Sequence, residues 1–111
     1  MTLGEKQRLF TVLIVKLLQF ALENGYEITL GDAYRDPRAT FPYSHPRSAH
    51  KNRLAIDLNL FKNGSFLETT EGHRQLGEYW EGLHDLCRWG GRFKNSGGDG
   101  NHYSIEHEGV K

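Results

Sequence analysis

Two short segments of the chain hold the residues best suited to chemistry. The first runs Ser-Ala-His-Lys-Asn-Arg-Leu-Ala-Ile-Asp, with His50 seven residues before Asp57. The second, Asp-Gly-Asn-His-Tyr, places His102 three residues after Asp99. Imidazole and carboxylate groups are ligands that suit zinc. His50, Asp57 and His102 as ligands leave a fourth tetrahedral position for water, which is typical of a catalytic zinc site rather than a structural one.

Each segment also has a plainer interpretation. His50 can be a loop histidine and Asp57 a solvated strand residue, because a histidine and an acid at this spacing are a weak signal. In the same way, Asp99 can belong to a simple turn and His102 to an exposed strand end. The two segments together favour a metal site more than either does alone.

The elements that must position these residues follow from the hydrophobic pattern. Apolar residues recur at helical spacing within residues 9–22, a Thr2-x-x-Glu5 capping box precedes them, and Asn24-Gly25 supplies a stop. A short strand is expected over residues 26–30. All three prolines fall within residues 36–49, which predicts a long loop, and loops of this length in a compact domain are usually functional.

Strand alternation over residues 55–61 turns Asp57 away from the face that carries Ile56 and Leu58. Asn63-Gly64 suits a hairpin turn into a return strand.

A second helix is expected over residues 70–88, ended by Gly90-Gly91, and a last strand over residues 102–106. We therefore predict an α+β fold with a small antiparallel sheet and flanking helices, as one domain spanning residues 1–111.

Composition limits the function classes. The chain has 111 residues, 14 Lys+Arg against 14 Asp+Glu, and one cysteine. This balance argues against nucleic acid as a partner, since phosphate neutralisation usually needs a basic excess. A single cysteine allows no internal disulfide. Residues 9–22 are too short and too charged to span a bilayer, and no cleavage site follows, so we expect cytoplasmic synthesis without a signal peptide and no membrane insertion.

Together, Ser-x-His-x6-Asp and Asp-x-x-His-Tyr resemble the motifs of the zinc peptidases that cut bacterial cell-wall peptides. That family includes D-Ala-D-Ala carboxypeptidases and the L-alanyl-D-glutamate endopeptidases used as phage endolysins, and its fold recurs in the hedgehog signalling domain. The resemblance runs from about Tyr34-Arg35 through Trp89-Gly90-Gly91 to Ile105-Glu106. It therefore covers most of the chain.

The resemblance implies a role for each matching residue. His50, Asp57 and His102 match the family's zinc ligands. Asp99 matches the acid/base that takes a proton from water and passes it to the leaving amine. Arg35 matches the arginine that steadies the scissile carbonyl.

Three further residues are expected at the substrate. Ser48 matches a serine near the substrate-binding edge, and His45 and Trp89 are candidates for lining the cleft. Two positions depart from the family pattern: Arg53 stands where many members have glycine, and Arg92 stands where an acidic residue is expected.

The remaining histidines and the cysteine have plainer predicted roles. His73 and His84 are expected on the surface of the second helix, and His107 at a frayed chain end. Cys87 is expected in the core rather than as a nucleophile, since no partnered base is evident.

These expectations favour a zinc-dependent peptidoglycan peptidase, with stem peptides as its partner and a monomeric state. An L-Ala-D-Glu endopeptidase acting as a phage-type endolysin, on the cell wall after release from the host cytoplasm, is the first choice. A D-Ala-D-Ala carboxypeptidase is the second. Two alternatives come from other classes: a His-Asn-His-type metal nuclease, suggested by His50-x-Asn52 and Asn101-His102, and a zinc-binding module without catalysis.

Overall fold

The computed structural model describes residues 1–39, 47–94 and 98–111. It opens with helix α1, Leu3–Glu23. The predicted capping box is present: the Thr2 hydroxyl accepts a hydrogen bond from the Glu5 N–H at 3.1 Å, and the Glu5 carboxylate accepts one from the Thr2 N–H at 2.8 Å. Beyond the helix, Gly25 has φ +84°, a left-handed conformation that glycine adopts at little cost.

The strands form one antiparallel sheet in the order β1-β2-β5-β4, and β3 pairs with the end of β2. Their bounds are β1 Tyr26–Leu30, β2 Ala55–Lys62, β3 Ser65–Phe66, β4 Cys87–Trp89 and β5 His102–Ile105. The predicted hairpin turn is confirmed, with φ 51° at Asn63 and 79° at Gly64. The expected α+β class with a small antiparallel sheet is confirmed as well.

The second helix is shorter than predicted. A 3₁₀ turn, Glu71–His73, leads into α2, Arg74–Leu83, and the chain is already extended at His84. Part of the expected helix is strand β4, in which Cys87 lies opposite Ile105 of β5. The prediction was wrong because Leu86 and Cys87 continue the apolar helical stripe, whereas pairing with a neighbouring strand decides the conformation.

Both helices pack against each other and against the sheet. The Trp80 indole N–H donates to the carbonyls of Arg88 and Ser104, each at 3.0 Å, and so holds α2 over β4 and β5. Cys87 is buried as expected, and its burial raises the pKa of the thiol to about 12. Fully buried side chains at the centre of the core are Leu17, Ala21, Leu54, Leu58, Leu60, Leu76, Trp80, Tyr103 and Ile105.

None of the helices in the described part of the chain combines the length and apolar character needed to span a membrane.

Candidate active site

Sheet register brings two of the predicted ligands together. Asp57 of β2 lies directly opposite His102 of β5, and directly opposed residues share one face of an antiparallel sheet. Asp57 Oδ1 lies 3.6 Å from His102 Nδ1. As predicted, Asp57 points away from Ile56 and Leu58, which are buried in the core.

A short turn positions the third predicted ligand, His50. His50 lies in a 3₁₀ turn, Ala49–Asn52, just before β2, and the Ser48 hydroxyl caps this turn by accepting from the His50 N–H at 3.3 Å. The buried imidazole places Nε2 3.3 Å from Asp57 Oδ1, while Nδ1 lies 2.8 Å from the Ala33 carbonyl oxygen. A carbonyl can only accept, so Nδ1 carries the proton and the Nε2 lone pair faces Asp57.

These three side chains fit a metal ion. Their ligand atoms all lie within 4.8 Å of one another. The buried Asp57 Oδ1 has no hydrogen-bond partner in the part of the chain that the structure describes. A buried acceptor without a partner costs about 1–3 kcal/mol. A cation bound between Asp57 Oδ1 and the two imidazoles would satisfy this acceptor and so explain its position. Two imidazoles and one carboxylate are a donor set that suits a divalent transition metal.

The electrostatics of the cluster favour a charged carboxylate. Burial alone raises the pKa of Asp57, but the neighbouring His102 and His50 imidazoles outweigh it and lower that pKa to about 2. Burial alone lowers the pKa of His50, yet the Asp57 carboxylate outweighs it and the pKa is raised. Asp57 therefore carries its negative charge at any pH near neutrality.

The backbone that follows β1 ties the ligand-bearing segments together. The Gly31 N–H donates to the Asp57 carbonyl at 2.8 Å, and the Asp57 N–H donates to the Asp32 carbonyl at 2.8 Å. The Arg35 N–H donates to the His50 carbonyl at 3.1 Å. A side chain at residue 31 would crowd the Asp57 carbonyl oxygen at 3.0 Å, so glycine permits this close approach.

Arg35 lies beside the cluster, with its side chain only 11% exposed. Its Nη1 donates to the Ser48 hydroxyl and its Nη2 to the Asp32 carboxylate, each at 3.4 Å. The Arg35 charge acts to lower the pKa of His50, a smaller effect than those of burial and of the Asp57 carboxylate. Ser48 is therefore both the cap of the His50 turn and a contact of Arg35, and the candidate His45 lies outside the described residues.

Asp99 stands at the wall of a cleft of about 240 Å³. Its N–H donates to the Gly90 carbonyl at 2.8 Å, and its carbonyl accepts from the His102 N–H at 3.0 Å. The residue is exposed to the cleft, yet partial burial of the carboxyl raises its pKa, an effect that His102 opposes and Asp57 reinforces. The structure thus places Asp99 next to His102 through the backbone, and its catalytic role stays a prediction.

Trp89 lies in the core, not at the cleft rim where it was expected. The side chain is 1% exposed, and its ring occupies the space that side chains at Gly77 and Gly91 would need. Its indole N–H donates to the Gly100 carbonyl at 2.8 Å. Through this hydrogen bond Trp89 stabilises the loop between Asp99 and His102. Because its ring is buried, it does not face a substrate.

The surface position predicted for His73 is wrong. His73 is buried, its Nδ1 lies 2.8 Å from the Tyr103 hydroxyl oxygen, and it lines the same cleft as Asp99. Burial lowers the pKa of His73 to about 4. A signal was present in the sequence, because His73 precedes Leu76 by three residues and Trp80 by seven, which is the spacing of the buried face.

The other two histidines within the described residues, His84 and His107, lie outside the cluster. His84 follows α2, where its Nδ1 accepts from the Leu86 N–H at 3.1 Å. His107 forms a bridge with Val110, and its Nδ1 lies 3.1 Å from Lys6 Nζ.

Both departures from the family pattern have local explanations. Arg53 has φ 58° and ψ 35°, the left-handed conformation for which glycine is best suited, and its guanidinium lies 4.0 Å above the centre of the Tyr34 ring. Arg92 forms hydrogen bonds at 3.0 Å with both carboxylate oxygens of Glu81. The Arg53 N–H donates to the His50 carbonyl at 3.3 Å, so this residue ends the turn that carries a proposed ligand.

The fold and the His-Asp-His cluster, with an acid on the cleft wall, are those of a metallopeptidase. A sequence profile of the D-alanyl-D-alanine carboxypeptidase family matches residues 43–105, more than half of the chain, and the chain belongs to this family. Membership confirms the resemblance and identifies the protein as a peptidase of peptidoglycan.

Among solved structures, the chain is similar to the L-Ala D-Glu endopeptidase ChiX of Serratia marcescens. The identity is 20%, the TM-score is 0.56, and the match covers 83% of this chain and 77% of the other. At this identity the likeness shows a shared fold. No curated protein sequence matches the chain.

Proposed function

We propose that the protein is a zinc-dependent endopeptidase that cleaves the L-Ala–D-Glu bond of peptidoglycan stem peptides. The observation that carries the proposal is the buried cluster in which Asp57 Oδ1 lies 3.3 Å from His50 Nε2 and 3.6 Å from His102 Nδ1. These three residues would hold zinc. Zinc supplies, when bound, a Lewis acid that makes hydroxide available near pH 7.

Two residues near the cluster carry out the other steps of the proposed reaction. The Asp99 carboxylate takes the proton of the attacking water and passes it to the leaving amine. Arg35, whose guanidinium stays charged, holds the negative charge that develops on the carbonyl oxygen. Its hydrogen bonds to Ser48 and Asp32 orient the guanidinium for this role.

One observation favours an endopeptidase: the similar fold belongs to a protein named as an L-Ala D-Glu endopeptidase. The family description supports the second candidate, a D-Ala-D-Ala carboxypeptidase.

We further propose that the enzyme acts as a phage-type endolysin, made in a host cytoplasm and acting on the wall after release. The similarity of its size and paired motifs to those of single-domain phage lysins supports this role. Lysis of susceptible cells when the protein is added from outside, or expressed together with a membrane-permeabilising partner, would test it.

The bond that is cleaved is tested by digestion of purified sacculi, with and without a chelator, followed by mass spectrometry of the muropeptides. Peptides with a new N-terminal D-Glu support the proposal, whereas loss of a terminal D-Ala indicates the carboxypeptidase. DNA incubated in parallel should stay intact. Cleavage of DNA would support a metal nuclease, and the absence of any cleavage would support a non-catalytic zinc module.

Zinc binding by the cluster and the role of Arg35 are tested on the same protein preparations. Elemental analysis should give about one zinc per chain, as expected for a mononuclear site, and His102→Ala should lose it. Arg35→Ala should retain zinc and lower kcat by roughly 10²–10³, the range measured for loss of an oxyanion contact, with partial rescue by lysine. Full zinc occupancy in His102→Ala, or an unchanged kcat in Arg35→Ala, would contradict the corresponding assignment.

A further inference from the structure

The cleft beside Asp99 contains a histidine that the proposed mechanism does not use. His73 and Tyr103 are 3% and 0% exposed, and they form a pair through His73 Nδ1 and the Tyr103 hydroxyl, 2.8 Å apart. Tyr103 comes from β5 and His73 from the 3₁₀ turn before α2. Their contact therefore joins the strand that carries His102 to the wall of the cleft.

Burial of Tyr103 decides which atom of the pair donates. Among the described residues, the Tyr103 hydroxyl has one hydrogen-bond partner, His73 Nδ1. If Nδ1 donated, the hydroxyl proton would be buried without an acceptor, at a cost of about 1–3 kcal/mol. The hydroxyl therefore donates to Nδ1. A neutral imidazole then carries its own proton on Nε2, the ring nitrogen left to meet a ligand.

The lining of this cleft selects the kind of group that Nε2–H can bind. Besides His73 and the apolar Leu58, Phe66 and Leu67, the described side chains that line the cleft are uncharged polar groups and two carboxylates: Asn59, Thr69, Thr70, Asn101, Glu68 and Asp99. The two carboxylates disfavour an anion, and no described lining residue is a lysine or arginine that would offset them. A neutral carbonyl oxygen is the acceptor that fits these surroundings.

We infer that His73 is a substrate-binding residue whose Nε2–H donates a hydrogen bond to a peptide carbonyl oxygen of the bound stem peptide. This inference rests on the proposed function, because it takes the cleft beside Asp99 as the place of the peptide chain. It assigns Tyr103 the task of holding His73 in the donating tautomer. Tyr103 is thus a positioning residue.

Steady-state kinetics on zinc-loaded protein, with a synthetic peptide that contains the L-Ala–D-Glu bond, test the inference. His73→Phe retains a ring but removes both nitrogens. It should raise KM by about 2- to 10-fold, the effect of one neutral hydrogen bond, with kcat within about twofold of the wild type. His84→Phe, a histidine that does not line the cleft, is the matched control and should leave KM unchanged.

A second measurement does not depend on the stability of His73→Phe. Long-range ¹H–¹⁵N spectra of the wild type should show His73 as the Nε2–H tautomer, and Tyr103→Phe should convert it into a mixture, with a smaller rise in KM. An Nδ1–H tautomer in the wild type would overturn the inference. So would an unchanged KM in zinc-loaded His73→Phe, or a joint loss of zinc and kcat that indicates a purely structural role.

The two levels of the proposal fail in different ways. Normal cleavage of the peptide together with an unchanged KM in His73→Phe would remove the inference and leave the proposed function intact. A wild-type protein that cleaves no muropeptide would overturn both.

Discussion

Individual carboxylates at this site are distinguished by what surrounds them. Asp57 lies between two imidazoles, which hold its pKa at about 2 and suit it to coordination. Asp99 stands at the cleft wall, where its backbone N–H and carbonyl form hydrogen bonds with Gly90 and His102. In the proposed mechanism its carboxylate acts on water rather than on the metal. This contrast leads to a substitution that separates proton transfer from metal binding.

Asp99→Asn keeps the size and turn-forming tendency of the residue but removes its basicity. We expect the variant to fold and to bind zinc, and to lose hydrolysis by on the order of 10²–10⁴, the range of a general acid/base. Zinc content and muropeptide cleavage should be measured on the same preparation.

Asp57→Asn is the matched control for Asp99→Asn, because the same substitution at a proposed ligand should reduce zinc and activity together. If Asp99→Asn retains zinc and cleaves at the wild-type rate, Asp99 is a turn residue only.

Because His73 is buried, the free energy of unfolding should decrease as the pH falls below about 6.5. Its folded pKa is about 4, because burial disfavours the charged ring, against an ordinary value of 6.5 in the unfolded chain. Between these values only the unfolded chain binds the proton. The His73 contribution to the free energy of unfolding is therefore fully present above pH 6.5 and falls by at most about 1.4 kcal/mol per unit as the pH drops toward 4.

Urea unfolding of zinc-free protein from pH 7 to pH 4.5 measures this dependence. The raised pKa of His50 contributes with the opposite sign, so the informative quantity is the difference between the wild type and His73→Phe. That difference should shrink as the pH falls. A difference that is constant over this range would show that His73 titrates alike in the folded and unfolded chain.

At the scale of elements, the loop that carries Asp99 and His102 is held by a hydrogen bond from the buried core. Trp89 of β4 donates to the Gly100 carbonyl and so fixes the loop that runs from Asp99 to His102. Trp89→Phe keeps an aromatic ring but leaves that carbonyl unpaired. We expect a loss of about 1–3 kcal/mol in the free energy of unfolding. Zinc affinity should fall by about tenfold or more, as for loss of a partner that orients a ligand.

Trp80→Phe is the matched control, because the Trp80 indole also donates to buried carbonyls but supports α2 and not the Asp99 loop. Chelator competition should show a loss of zinc affinity in Trp89→Phe that exceeds the loss in Trp80→Phe. Equal affinities would mean that the loop keeps its conformation without the Trp89 hydrogen bond.

For the whole molecule, metal binding should contribute to folding stability. The three proposed ligands come from a 3₁₀ turn and two strands, so a bound ion links segments that only the folded chain brings together. Zinc at 100 times its Kd adds about 2.7 kcal/mol. For a domain of this size that corresponds to roughly 10 °C or more in Tm.

Calorimetry with and without a chelator measures the shift, and added zinc should reverse it. His102→Ala, which lacks one ligand, should show a Tm that is nearly insensitive to the chelator. A wild-type Tm that the chelator leaves unchanged would contradict metal binding at the cluster.

Features that depend on neighbours in sequence were predictable. The Thr2–Glu5 capping box and the Asn63-Gly64 hairpin each rest on a few adjacent residues whose conformational preferences are strong. The alternation of β2 placed Asp57 opposite the core face, because the period of a strand is a property of the backbone itself. The paired motifs then indicated His50, Asp57 and His102 as one set.

Other features were decided by contacts between segments that are distant in sequence. Strand β4 replaced the predicted end of the second helix because β5 offers it hydrogen bonds, and Trp89 became a support because two glycines leave room for its ring. The Ala33 carbonyl that orients His50 carries no signal in the sequence, since every residue has one. Local patterns specify residue types and periods, whereas pairing and packing between distant segments decide which of those residues meet.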